Sequence, residues 1–194
     1  KAVFPSATIF RPSVIFGPED EFFNKFAGMA RALPVLPVMG VPLLPKITLK
    51  GKSGFGVDWF GSGGCKFQPV YVDDVAQVMF DAIGDRTTRG ETYELGGPRV
   101  YSFKELMELV LAVTERKNFL IPIPSVLASI QALFLQLLPT PLLTPDQLSL
   151  MERDNVVSSN AKGFEFLGTQ PKPVEAILPT YLKRFRRSTK SPGS

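Results

Sequence analysis

Ala7-Thr8-Ile9-Phe10-Arg11-Pro12-Ser13-Val14-Ile15-Phe16-Gly17-Pro18 is the stretch whose reading decides the fold. Its first four residues form a short apolar, β-branched run between the breakers Pro5-Ser6 and Arg11-Pro12. Such a run reads as a strand buried on both faces of a parallel sheet. Pro12 has no N–H to give to a ladder, so the strand is expected to end there and the chain to leave the sheet. In open α/β sheets ligands lie just beyond the carboxyl ends of strands. The turn Ser13 to Pro18 is therefore a candidate wall of a ligand site, with a buried strand and an ordinary turn as the plain alternative.

Outward from this stretch, Lys1 to Phe4 reads as the last turn of a helix that begins upstream. On the other side, Glu19-Asp20-Glu21 precede Phe22, Phe23, Phe26, Met29, Ala30 and Leu33. That is helical spacing with acids at the positive end of the helix dipole, and the aromatics read as core. Pro34 ends the helix, and Pro34 to Gly40 is expected to be an extended connector. Residues 41–64 hold six glycines among Lys46, Lys50 and Lys52. Gly51-Lys52-Ser53 lacks the earlier glycine of a phosphate loop, since Lys46 stands there, so an exposed hairpin or inserted loop is expected.

Lys66 to Val72 reads as a second strand, with Asp73-Asp74 capping a helix from Val75 to Ile83. Thr92 to Leu95 reads as a third strand ended by Gly96-Gly97-Pro98. Ser102-Phe-Lys-Glu105 is a capping box in front of Leu106, Leu109, Val110 and Val113. Phe119 to Pro124 is a strand or extended link. Val126 to Leu138 is an apolar helix too short to span a bilayer. Thr144-Pro145-Asp146-Gln147 opens another helix running to about Arg153. The last helix runs from Val174 to Phe185, and its basic end, Lys183 to Arg187, reads as a dipole-complementing, solvated tail.

Composition removes several classes of chemistry. With no histidine among 194 residues there is no Ser-His-Asp triad, no His-based zinc site and no imidazole base within these residues. Chemistry here would need carboxylates, lysine, tyrosine or groups from elsewhere, and no residue is singled out as catalytic or metal-ligating. The single cysteine, Cys65, has no intramolecular disulfide partner. The formal net charge of +4 resides mostly in the basic tail, which gives nucleic acid little support as a partner.

Ile9-Phe10-Arg11-Pro12-Ser13-Val14-Ile15-Phe16-Gly17-Pro18 resembles the R-P-x-x-x-[YF]-G-P stretch of extended and atypical short-chain dehydrogenase/reductases, of the NAD-dependent epimerase/dehydratase kind. Phe67-Gln68-Pro69-Val70-Tyr71-Val72-Asp73-Asp74-Val75-Ala76 is similar to that family's h-V-x-D-V-A strand-to-helix junction. Tyr93 to Pro98 followed by Ser102-Phe-Lys-Glu-Leu looks like the next strand and helix. Within the superfamily, Glu19-Asp20-x-Phe22-x-Asn24-x-Phe26-Ala27, Leu143 to Gln147 and Asp154-Asn155-Val156-Val157 resemble the nucleotide-binding accessory subunits of respiratory complex I and their alphaproteobacterial relatives. The long 41–64 insertion departs from that pattern.

The resemblance implies an α/β fold: residues 1–115 as the end of a Rossmann-like sheet with an inserted loop at 41–64, and residues 116–194 as a helical segment with a basic tail. The family's glycine-rich turn, ribose-binding acid and Tyr-x-x-x-Lys pair lie in an amino-terminal half that these residues do not include. A missing Rossmann half, in the same or a separate chain, is therefore implied, and the opening strand is expected to keep unpaired backbone edges. By motif position Phe10, Arg11, Pro12, Ser13 and Val14 would border the nicotinamide end of NADPH or NADH. Asn24, Lys66 and Gln68 would face the substrate-side cleft. The implied role is a non-catalytic, cofactor-binding complex I subunit on the matrix side of the mitochondrial inner membrane, with peripheral membrane contact. The alternative is the substrate half of a soluble epimerase, dehydratase or reductase, for instance in a bacterial cytoplasm.

Overall fold

The computed structural model describes residues 3–49, 55–124 and 153–187. In chain order the elements are β1 (Ile9–Pro12), β2 (Ile15–Phe16), α1 (Glu21–Ala32), β3 (Val35–Val41), β4 (Lys46–Leu49), β5 (Phe55–Asp58), β6 (Lys66–Phe67), β7 (Val70–Tyr71), α2 (Val72–Gly84), β8 (Thr92–Leu95), β9 (Tyr101–Ser102), α3 (Phe103–Thr114), β10 (Phe119–Pro124) and α4 (Val174–Leu182). The strands form paired ribbons: β1 with β8, β2 with β7 and β3 with β10 are parallel, while β4 with β5 and β6 with β9 are antiparallel. The helices expected at 126–138 and 144–153 fall almost wholly outside the described residues, as do Lys190 and the end of the basic tail.

The main core grows from α1. Asp20 caps it by accepting the Phe23 N–H at 2.5 Å, and the Leu33 N–H closes the last turn on the Met29 carbonyl before Pro34 forbids another. Phe23, Phe26, Ala27 and Ala30 are buried along one face. They meet Leu106, Met107 and Val110 of α3 and Val174, Leu178 and Leu182 of α4. The rings of Phe22, Phe23, Phe26, Phe67 and Phe103 lie 5.1–6.0 Å apart, mostly edge to face, the arrangement that aromatic quadrupoles favour. The expected aromatic core is thus present, and it draws on both sides of residue 115. The capping box is also formed: Ser102 Oγ accepts from the Glu105 N–H, and the Glu105 carboxylate accepts from the Ser102 N–H at 2.7 Å.

Several local expectations are corrected. β1 is not buried on both faces: Arg11 is exposed and its neighbours are half-buried, because among the described residues β1 pairs only with β8. Pro34 to Gly40 is no mere connector, since Val35–Val41 pairs with β10 and buries Leu36, Val38, Met39 and Val41. Lys66 to Val72 is two short strands with different partners rather than one. Asp73 and Asp74 do not cap α2; they lie within its first turn after an N-cap at Tyr71 that has no side-chain bond. Asp74 is buried and accepts the Lys172 N–H at 2.6 Å, with Lys172 Nζ 3.5 Å away. Val3 and Phe4 are exposed and not helical.

The basic end of the chain keeps Lys183, Arg184 and Arg187 exposed, yet two of its arginines reach back to the helical core. Arg184 donates to Asn24 Oδ1 at 2.7 Å, and Arg186 donates to the Val113 carbonyl at 2.9 Å while pairing with Glu115 at 3.0 Å.

Candidate functional site

Because β1 and β8 are parallel and in register through Pro12 and Leu95, both strands end at the same edge. The chain beyond Pro12 is fixed at once. The Ser13 N–H donates to the Leu95 carbonyl at 2.9 Å, and the Val14 carbonyl accepts from the Val70 N–H at 2.9 Å. Ser13 is 7 % exposed, and its hydroxyl donates to the Asn155 carbonyl at 2.7 Å. The turn that opens the candidate site therefore bridges β8, β7 and a segment more than a hundred residues downstream.

Gln68 is the second fixture. Its Nε2 donates to the Gly97 carbonyl at 2.8 Å, and its Oε1 accepts from the Val157 N–H at 3.1 Å. Asp154 Oδ1 accepts from the Lys66 N–H, and the Asn155 carbonyl accepts from the Gln68 N–H. Residues 154–158 are thus laid across the strand ends like a further edge. Glu94 completes the seam by accepting the Ser158 N–H at 2.8 Å, a bond that, with the Ser158 hydroxyl and a smaller contribution from Arg11, holds its carboxyl below its ordinary pKa. A cleft of about 760 Å³ opens here, lined among others by Gln68, Glu94, Gly96, Gly97, Val157 and Ser158. At Gly97 a Cβ would stand 1.9 Å from the Pro69 carbonyl oxygen, so only glycine permits this approach of backbone to backbone.

The structure brings Ser13, Gln68 and the main chain of Lys66 together on residues 154–157, and separates them from the other expected site residues. Phe10 points to the opposite side, stacked on Tyr93 at 5.7 Å, and lines a hollow of about 550 Å³ with Phe4, Thr8, Met79 and Ile83. Arg11 is exposed and sits opposite Glu94 in the ladder, and Pro12 sits opposite Leu95. Asn24 belongs to a third hollow, with Glu19, Asp20 and Arg184. Its amide donates to the Pro18 and Asp20 carbonyls at 3.0 and 2.7 Å.

Next to Asn24, the Tyr181 hydroxyl donates to Asp20 Oδ2 at 2.7 Å. Burial raises the Asp20 pKa against the opposing pull of that bond, and burial followed by the Asp20 carboxylate raises that of Tyr181.

Sequence reasoning missed Asn155, Glu94 and Ser158 as structural parts of this corner. The Asp154-Asn155 pair carried a resemblance but no sign that its main chain would receive Ser13 and Gln68. Among the described residues no buried side-chain polar atom lacks a partner, and no group of three His, Cys, Asp or Glu is placed to hold a metal ion. The corner is a pre-formed wall whose own donors and acceptors are engaged with one another.

No protein-family model matches the chain. Curated relatives do. The mitochondrial NADH dehydrogenase [ubiquinone] 1 alpha subcomplex subunit 9 of Arabidopsis thaliana is 30 % identical over 98 % of this chain and 44 % of its own length. That of Mus musculus is 32 % identical over 96 % of this chain and 44 % of its own. The NADH-ubiquinone oxidoreductase 40 kDa subunit of Neurospora crassa is 27 % identical over 96 % and 43 %. The chain thus spans less than half the length of these relatives. Among solved structures, a UDP-glucose 4-epimerase of Thermus thermophilus, in complex with NAD, is similar at a TM-score of 0.54 and 18 % identity, covering 93 % of this chain and 46 % of that one. The dTDP-glucose 4,6-dehydratase DesIV of Streptomyces venezuelae, also with NAD bound, gives a TM-score of 0.54 at 15 % identity over 91 % and 42 %. The fold is therefore α/β and Rossmann-like, as in these epimerase and dehydratase structures.

Proposed function

We propose that this chain, which has the short-chain dehydrogenase/reductase-type fold and is homologous to the complex I subunit 9 proteins, is part of an accessory subunit of respiratory complex I that binds a nicotinamide dinucleotide without turning it over. The observation that carries this reading is the extent of the likeness: 96–98 % of the chain aligns with those subunits at 27–32 % identity. On this reading it is a mitochondrial subunit, on the matrix side of the inner membrane and in contact with other complex I subunits.

The residues present fit one wall of a dinucleotide site. Phe10 to Val14 end a parallel strand, where ligands of such sheets gather. With Ser13 and Gln68 engaged internally, these two supply shape, and exposed Arg11 supplies the charge. They do not fit the pyrophosphate cradle. A Cβ at Gly96 would already touch the Gln68 amide at 2.6 Å and Val157 at 2.8 Å, so the glycines near the wall are closed against protein. The cradle, and with it the choice of NADPH over NADH, belongs to the Rossmann half that the resemblance implies. When bound, the nucleotide supplies binding energy that favours the folded subunit. Asn24, Lys66 and Gln68 remain proposed for the substrate-side cleft, with Asn24 in a hollow of its own.

The test is to isolate the native protein under mild conditions and measure its intact mass, its partners and the nucleotide that denaturation releases. Co-purification with respiratory subunits and release of NADPH or NADH without turnover are expected. A free protein that oxidises NADPH with a sugar or ketone substrate would overturn the reading in favour of a soluble enzyme.

A further inference from the structure

β3 and β10 form a parallel ribbon that, among the described residues, pairs with no other strand. One face is core: Leu36 and Val38 are fully buried, and Leu120 packs against the same cluster. The register sets Phe119 opposite Val35 and Ile121 opposite Pro37, so these four share the other face. That face is covered further along, at Met39, Val41 and Ile123, and open at the ribbon's start. There Phe119 is 76 % and Ile121 43 % exposed, with Leu33, just before the ribbon, at 41 %. Adjoining exposed apolar side chains of this kind mark an interaction site.

The ribbon is closed to an added strand. The Phe119 N–H donates to the Pro34 carbonyl at 3.1 Å, so Phe119 and Ile121 turn their main chain toward β3, while Leu120 and Pro122 turn theirs away. By the same alternation Pro37, opposite Ile121, faces away from β10. Proline thus stands on both outer edges, where it removes a donor that a new strand would need. A partner must lie on the face.

Cations gather beside that face. The Asn118 amide donates to the Ala30 carbonyl at 2.9 Å and to the Leu33 carbonyl, which ties the start of β10 to the end of α1 and sets Lys117 near Arg31. Arg116 Nε donates to the Phe185 carbonyl at 2.9 Å, which brings in Arg187. Burial, followed by the charges of Arg187 and Arg31, lowers the Arg116 pKa. The neighbouring acid, Glu115, pairs with Arg186 at 3.0 Å. Arg31, Lys117 and Arg187 are exposed.

We propose that this corner, the apolar strip of Leu33, Phe119 and Ile121 with its rim of Arg31, Arg116, Lys117 and Arg187, is a docking surface for an acidic protein segment that also carries apolar side chains. Its carboxylates meet the rim, where arginine forks suit them, and its apolar groups cover the strip. Nucleic acid would satisfy the rim and leave the strip wet. A pleated strand face is closed over by a partner's side chains, whereas insertion into a bilayer surface is the work of an amphipathic helix. The inference names the chemistry of the contact and does not depend on the complex I reading.

The test replaces Phe119 by the photocrosslinker p-benzoylphenylalanine in the full-length protein within its native host, and identifies the adduct by mass spectrometry. An adduct to another protein is expected, at a segment where Asp and Glu outnumber Lys and Arg. Each of Lys117→Glu and Arg31→Glu, at exposed positions, lowers its yield about fivefold, while Lys117→Arg leaves it unchanged. The absence of an adduct, an adduct to lipid or nucleic acid, an adduct within this same chain, a captured segment without an acidic excess, or yields indifferent to both charge reversals would each overturn the proposal.

Discussion

Two regions of the molecule solve the burial problem in opposite ways. Around α1, α3 and α4, five phenylalanine rings interlock edge to face, and the neighbouring leucines, methionine and valines are shut off from water on every side. At the β1–β8 corner the core is six buried residues, Val70, Val75, Val78, Tyr93, Leu95 and Phe164. Phe10 only partly covers it, and Phe80 and Ile83 of α2 stand 72 % and 83 % exposed. The first region closes on itself. The second stays open on one side, and beside its small core runs the hydrogen-bonded seam of Ser13, Gln68 and residues 154–158.

That contrast breaks most visibly on truncation of an aromatic ring. Phe103→Ala removes a fully buried ring shared by three others and is expected to cost about 3–5 kcal/mol in urea denaturation. Phe10→Ala removes a half-buried ring stacked on one partner and should cost about 1 kcal/mol. Equal losses would show that the open corner is as tightly packed as the closed one.

Next in size is Gly64→Ala, at the edge of the closed region. Gly64 has φ +87° and its Cβ would fall 2.1 Å from the Met39 carbonyl oxygen, so a loss of about 2 kcal/mol or more is expected. An unchanged midpoint would mean that β3 can yield there.

In the open region the largest polar effect should come from Asp74. Asp74→Ala strands the Lys172 N–H and is expected to lose about 2 kcal/mol, while Asp74→Asn keeps an acceptor and should lose less than half as much. If both variants lose the same, the charge and Lys172 Nζ matter more than the bond.

The smallest effects concern helix ends and pH. Ser102→Ala should cost about 1 kcal/mol. The Ser102 N–H holds the Glu105 pKa below its ordinary value, so Glu105 stabilises the fold above that value and the contribution is lost as pH falls through the lowered pKa. Asp20 has the opposite sign: burial raises its pKa, so its contribution is present below the ordinary value and is lost as pH rises through the raised one. Thermal melts of Glu105→Gln and Asp20→Asn across mildly acid pH should therefore depart from the parent in opposite directions. Parallel curves would remove both assignments.

What was legible in the chain was what is decided within a few residues. The spacing of Phe22, Phe23 and Phe26 and the Ser102-to-Glu105 box specify helices and their starts, because their partners lie within one turn. The Arg11-Pro12 boundary ended β1 where expected, since a residue without an N–H stops a ladder wherever it stands. What was not legible depended on partners far along the chain. Val35–Val41 became a strand only because β10 lies beside it, 84 residues on at Val35 and Phe119. Asp74 looked like a cap, since nothing in its neighbourhood announces Lys172. Ser13 and Gln68 read as ligand-facing groups, yet their bonds go to Asn155 and Val157, 142 and 89 positions away.

The sequence by itself determined the α/β pattern, the Ser102–Glu105 capping box and the aromatic core, since each follows from short-range periodicity, dihedral limits and the burial of apolar surface. Only the tertiary structure decided that Phe10, Gln68 and Asn24 line three separate hollows, that the strand-end corner is crossed by residues 154–158, and that Arg184 and Arg186 reach α1 and the end of α3. Those outcomes depend on which distant donors and acceptors meet once the core has closed, and an unpaired buried polar group is too costly to leave any of them open.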